Sequence, residues 1–156
     1  MTRRRHWKPP LDLPLPALFW LALLLALDGT GLVRLSLLCA LLHESGHVVV
    51  YLALFHRPPR LKVSPTGICL SLRGVLLSSR RALLLAAAGP LINLLCCASA
   101  IFWMELAGYS YRGYWFASVN LLLGTVNLLP LPGLDGQRIV EALLQIPKKY
   151  GTIGTI

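Results

Sequence analysis

Charge is what this sequence has least of. Only 13% of its 156 residues are charged, and six of them are acidic, whereas a water-soluble domain carries about 25% charged residues. With 56% hydrophobic residues and a mean hydropathy of +0.66, the shortfall argues against an ordinary soluble domain and for the membrane class. The length allows three or four spans with short connections and no further soluble domain of ordinary size. One domain over residues 1–156 is therefore expected.

Other absences narrow the reading. Cys39, Cys69, Cys96 and Cys97 form no C-x-x-C pair and no disulfide-framework spacing. Three of them lie in apolar runs, where cysteine usually serves as a small hydrophobe, so all four read as structural. The basic head of residues 1–10 and the apolar stretch Leu11–Leu27 resemble a signal peptide, yet no small-residue cleavage site follows. Asp28-Gly29-Thr30-Gly31 reads as a turn instead, so residues 13–27 are expected to stay as a short first span. The net charge of +9 is not laid out as a basic stripe with interleaved aromatics. It flanks the apolar runs, which argues against nucleic acid and for a lipid bilayer as the partner.

Long apolar runs are what the chain does have. Further spans are expected at residues 32–55, 82–106 and 115–130, with an aromatic headgroup-level loop at 107–114 and a short amphipathic helix at 137–146. Between the second and third spans, residues 61–73 alternate in polarity around Ser64-Pro65-Thr66-Gly67. That is a β-hairpin signal, and so small a hairpin must lean on helices or the membrane interface. The expected fold class is an all-α polytopic membrane protein with about four transmembrane helices and a small membrane-associated β-hairpin. Residues 1–10, 57–81 and 137–156 hold 13 of the 15 Lys and Arg residues. The bias places both termini on the cytoplasmic side of a cell membrane. His6 and His56 sit among basic residues at the water surface and read as solvated.

The chemistry centres on His43-Glu44-Ser45-Gly46-His47, an H-E-x-x-H motif inside the second span. Histidines four apart share one helix face and can bind one metal ion together. Glu44 then stands where it can take a proton from a water held there. Ionisable groups at this depth, roughly 12–18 Å from either end of the span, are expensive and usually functional. Asp135 follows a break at Leu129-Pro130-Leu131-Pro132-Gly133-Leu134, where two prolines and a glycine cannot continue a helix. Irregular backbone at membrane depth implies a cavity, and two histidines with one carboxylate form a standard catalytic zinc set. Asp135 could alternatively cap the following helix. Asn93, beside Pro90 in the third span, could make a helix–helix hydrogen bond or serve the active site.

The two motifs together resemble the site-2 protease family of intramembrane zinc metalloproteases. The matching residues are His43-Glu44-Ser45-Gly46-His47 and Asn127-Leu128-Leu129-Pro130-Leu131-Pro132-Gly133-Leu134-Asp135-Gly136, with Ala88-Gly89-Pro90-Leu91-Ile92-Asn93 similar to the family's G-P-x-x-N segment. The basic head, the early H-E-x-x-H and the absence of an inserted PDZ region look most like the stage IV sporulation protein FB branch. The resemblance implies a site-2 protease-like core and a zinc endopeptidase acting on a membrane-associated protein, in that branch a sigma-factor precursor. It implies one zinc per chain on His43, His47 and Asp135, with Glu44 as the catalytic base. Asn127 or Asn93 would donate a hydrogen bond to the oxyanion. The strand Ile68–Arg73 could hold the substrate extended by strand addition. Membrane regulatory partners or a homo-oligomer would be compatible. The competing class is a membrane scaffold whose metal site has lost activity; a metal transporter would need polar residues along a pore, whereas here they gather at one place.

Overall fold

A computed structural model describes residues 15–56, 60–64, 67–71 and 78–144. In chain order it contains α1 (Leu15–Leu27), α2 (Leu32–Phe55), β1 (Arg60–Ser64), β2 (Gly67–Ser71), α3 (Ser79–Ala107), α4 (Tyr111–Asn127) and α5 (Asp135–Leu143). The basic head, His6, the turn residues Pro65 and Thr66, and everything after residue 144 lie outside the described residues.

The start of α2 shows how local chemistry sets a boundary. Asp28 is buried, and its carboxylate accepts the Arg34 backbone N–H at 3.1 Å and the Thr30 hydroxyl at 3.1 Å. It thereby satisfies a donor that the first turn of a helix leaves without an intrahelical partner. Arg34 reinforces the corner, donating to the Asp28 carbonyl at 2.9 Å and lying 3.5 Å from its carboxylate. At its far end α2 closes on His56, which takes the left-handed conformation (φ 51°) and returns its N–H to Leu52 O. β1 and β2 pair antiparallel from Arg60↔Ser71 to Ser64↔Gly67, starting one residue before the 61–73 stretch whose alternation suggests strands.

Helix α3 is the hub, packing against α2, α4 and α5. Small residues let it approach closely. A side chain at Gly46 of α2 would run into Ala88 O of α3, and one at Gly124 of α4 would press on Pro90 O. Helix α4 is tied to α2 by two polar bonds, Trp115 Nε1 to Ser36 Oγ at 3.0 Å and Asn120 Nδ2 to Cys39 Sγ at 3.1 Å. Cys39 is fully buried, as a structural cysteine would be.

The apolar surface faces outward. Helices α2 and α3, of 24 and 29 residues, are long and apolar enough to cross a membrane. Yet Leu41, Val49, Leu84, Leu91 and Trp103 are all more than half exposed, while Asn93 and Asn120 are fully buried. Water would make this arrangement costly; hydrocarbon around the bundle makes it the favourable one.

Several helix boundaries differ from the sequence expectation. Helix α3 begins at Ser79 instead of 82, and α4 begins at Tyr111 instead of 115, because Ser110 Oγ accepts the Gly113 N–H at 3.0 Å and starts the helix inside the expected loop. Helix α4 ends at Asn127, short of 130, and α5 starts at Asp135 instead of 137. The link between them turns at Gly133, whose φ of 90° suits glycine.

Candidate metal centre

Three helices deliver the site. His43 and His47 come from adjacent turns of one face of α2, and Asp135 opens α5. All three are buried, at 6%, 7% and 6% exposure. Asp135 Oδ2 lies 3.1 Å from His43 Nε2 and 3.1 Å from His47 Nε2, and the two nitrogens are 3.3 Å apart. Leu134 occupies the cap position of α5, and Asp135 spends its carboxylate on the histidines. The capping alternative for Asp135 therefore does not describe this structure.

The outer nitrogens of both rings are engaged. His43 Nδ1 lies 3.1 Å from Asn93 Oδ1, and His47 Nδ1 lies 2.8 Å from Leu85 O. Both partners can only accept, so each Nδ1 carries the proton and donates. Neutral imidazoles then turn unprotonated Nε2 atoms towards the carboxylate, and three lone pairs converge with no donor among them. Such a set can hold a cation. Its size is close to that of a zinc site: tetrahedral ligands at about 2.0–2.2 Å from a metal stand about 3.3–3.6 Å apart.

Helix α3 supplies both the outer partners and the space. Pro90 has no N–H, which releases Ala86 O and loosens the turn that presents Leu85 O to His47. Gly89 faces the rings; a β-carbon there would sit 2.7 Å from His43 Nε2 and closer still to His47 Nε2. Any side chain at Gly89 would occupy the space between the two rings. Gly136 does the same for Asp135, since a β-carbon would collide with the carbonyl oxygens of Leu128 and Leu129.

Glu44, next to His43, is half-buried and within electrostatic reach of His43, His47 and Asp135. Asn93 is fully buried, with Oδ1 on His43 and Nδ2 unpartnered, so it meets the site through the imidazole. Asn127 Nδ2 donates to Leu123 O of its own helix at 2.9 Å. Two groups at the site lie outside the sequence motifs: Leu85 O, and Arg138, whose Nη1 lies 3.6 Å from Asp135 Oδ1. The Leu85 carbonyl carries no side-chain signal, but a G-P step in a helix marks loosened carbonyls nearby.

Residues 106–152 match Peptidase family M50. Over 130 residues the chain is 34% identical to the Putative zinc metalloprotease Rip3 of Mycobacterium tuberculosis, covering 74% of this chain and 31% of that protein. Over 119 residues it is 32% identical to the Zinc metalloprotease MJ0392 of Methanocaldococcus jannaschii, covering 70% of this chain and 32% of that one. The chain thus spans about a third of the length of these relatives. Its fold is similar to the Site-2 Protease from Methanocaldococcus jannaschii, with a TM-score of 0.61 and 25% identity over 87% of this chain and 65% of that structure. The chain is thus similar to zinc metalloproteases and to a site-2 protease, and its two long apolar helices suit a membrane protein. None of these names points to sporulation, and the sporulation branch gains no support from them.

Proposed function

We propose that the chain is the catalytic core of an intramembrane zinc endopeptidase that cleaves a membrane-associated protein. The observation that carries this reading is the convergence of His43 Nε2, His47 Nε2 and Asp135 Oδ2 within 3.3 Å of one another, with both outer nitrogens already engaged. Those three atoms would hold one zinc per chain, and zinc when bound supplies Lewis-acid polarisation and lowers the pKa of water.

The chain's own residues do the rest. Glu44 accepts the proton of the attacking water and returns it to the nitrogen of the leaving amine, so one carboxylate serves both halves of the hydrolysis. Asn93 and Leu85 O hold the imidazoles in the tautomer and orientation that face the scissile carbonyl. Asn127 follows Gly124 on α4, and its second amide hydrogen is the candidate donor to the oxyanion. A helical substrate hides its carbonyls, so it must unwind before attack, and β2 offers an edge against which an extended segment can pair.

In this reading α1, α2, α3 and α4 all cross the bilayer, with both termini cytoplasmic, as the basic-residue bias favours. The test is co-expression with a membrane-tethered reporter substrate. Wild type should cleave it, a membrane-permeant chelator should stop cleavage, and Glu44→Gln should be inactive while retaining zinc. Cleavage by Glu44→Gln at the wild-type rate would refute the base assignment. Zinc-loaded wild type that cleaves nothing across a panel of membrane-associated substrates would favour the scaffold alternative.

A further inference from the structure

Asp135 shows its two oxygens to different neighbours. Oδ2 lies 3.1 Å from each imidazole Nε2, while Oδ1 faces Arg138 Nη1 at 3.6 Å. Asp135 and Arg138 stand three residues apart on α5, on one face of the helix, so the pair needs no other element to form.

We propose that Arg138 is a positioning residue for the metal centre, holding Oδ1 away from the histidines so that Asp135 serves as a one-oxygen ligand. This rests on the zinc-site reading above. A carboxylate turns easily about its last torsion, which is broad and two-fold. Without a partner for Oδ1, both oxygens of this buried side chain would be free to swing towards a cation. That would change the ligand count and move the charge nearest the reacting carbonyl. The guanidinium opposes it by giving Oδ1 a cationic partner 3.6 Å away, on the side turned from the histidines.

The same geometry separates this role from a structural one. The Arg138 side chain is 53% exposed, and ion pairs with one solvated partner contribute little to global stability. Its removal should therefore be felt at the metal and not in the fold.

The experiment uses the full chain in detergent, titrated with Zn²⁺ against a chromophoric chelator and separately loaded with Co²⁺ for its visible absorption. Wild type should bind one Zn²⁺ and show the intense Co²⁺ bands of a four-coordinate site. Arg138→Ala should bind Zn²⁺ about 10–100-fold more weakly, the usual effect of losing a group that orients a ligand. Its Co²⁺ bands should weaken as the second carboxylate oxygen joins the metal, and the metal-free variant should melt with wild type. Arg138→Lys, which keeps the charge, should recover most of the affinity. The proposal is overturned if Arg138→Ala matches wild type in affinity and Co²⁺ spectrum, if Arg138→Lys recovers nothing, or if the metal-free alanine variant loses its fold. Wild type that binds no Zn²⁺ would overturn the metal centre itself, and the role of Arg138 with it. Wild-type binding with an indifferent Arg138→Ala would overturn only the latter.

Discussion

Asn93 Oδ1 and His43 Nδ1 meet at 3.1 Å across the α2–α3 interface, and the bond sets which nitrogen of His43 carries its proton. Asn93 is fully buried, so no water can replace it. In Asn93→Leu the imidazole loses its acceptor and is free to protonate on Nε2, the atom the metal needs. Zinc affinity should fall by about 10–100-fold. The buried Nδ1, left without a partner in either tautomer, should also cost about 1–3 kcal/mol of stability. Chelator competition reads the first effect and thermal unfolding in detergent the second; an unchanged zinc affinity would show that the bond does not set the tautomer.

A helix interior normally welcomes Gly→Ala, which stabilises by about 0.5–1 kcal/mol. Gly89→Ala should do the reverse here. The added methyl would lie 2.7 Å from both His43 Nε2 and His43 Cε1, so the rings must move apart or the metal must leave. Zinc stoichiometry should drop towards zero while the helical circular dichroism of the chain is retained. Elemental analysis of the purified variant decides it: a full complement of zinc would mean that α3 shifts away from α2 at little cost.

How much of this was legible beforehand depends on the kind of signal. His43, Glu44 and His47 announce themselves because the spacing of one helical turn is itself the geometry, and Asp135 because it follows a break no helix can carry. Asn93 offered two readings, helix–helix contact or active site, and the structure shows the first: it meets α2 through the His43 ring. Gly89 could be read only as a small residue permitting close approach; that the approaching groups are two imidazoles depends on the rotation of α3 against α2, which spacing along one helix does not encode. Arg138 was masked by its neighbours, because a basic residue after a span reads first as a topology signal. The start of α4 was hidden by its aromatic residues, although Ser110 followed three residues later by a glycine N–H it can cap was there to be seen.

The corner between α1 and α2 predicts a pH dependence. Burial pushes the Asp28 carboxyl up, but the backbone N–H groups of Arg34 and Val33, the Thr30 hydroxyl and the Arg34 charge outweigh it and hold the group below the usual aspartate value. The unfolded chain therefore binds this proton more readily than the folded one, and stability rises with pH. The contribution is complete above the unfolded value of about 3.9 and disappears as pH falls through the lower folded value. Thermal unfolding of wild type and Asp28→Asn between about pH 6 and pH 3 should show a steeper acid loss in wild type, the two curves drawing together as the carboxyl protonates. Parallel curves throughout would mean that Asp28 does not titrate with folding.

Gly136 tests whether the third ligand depends on the backbone that carries it. Its Cα is packed so closely beneath the carbonyl oxygens of Leu128 and Leu129 that a β-carbon has no room. The carbonyls belong to the link that ends α4, so neither side can yield by rotating a side chain. In Gly136→Ala, α5 must lift away from the link, and Asp135, the preceding residue, moves with it off the histidines. Overpacking of this kind costs about 1–3 kcal/mol, which α5 can absorb locally while α2 and α3 stay paired. The expected result is a folded variant that keeps the two histidines but binds zinc weakly and cleaves no reporter. Asp135→Asn should resemble it in zinc affinity without the loss of stability, and that difference separates a displaced ligand from an absent one. If Gly136→Ala binds zinc as tightly as wild type, the approach of α5 to the link is looser than the packing indicates and Asp135 is held in place by Arg138 and the histidines alone.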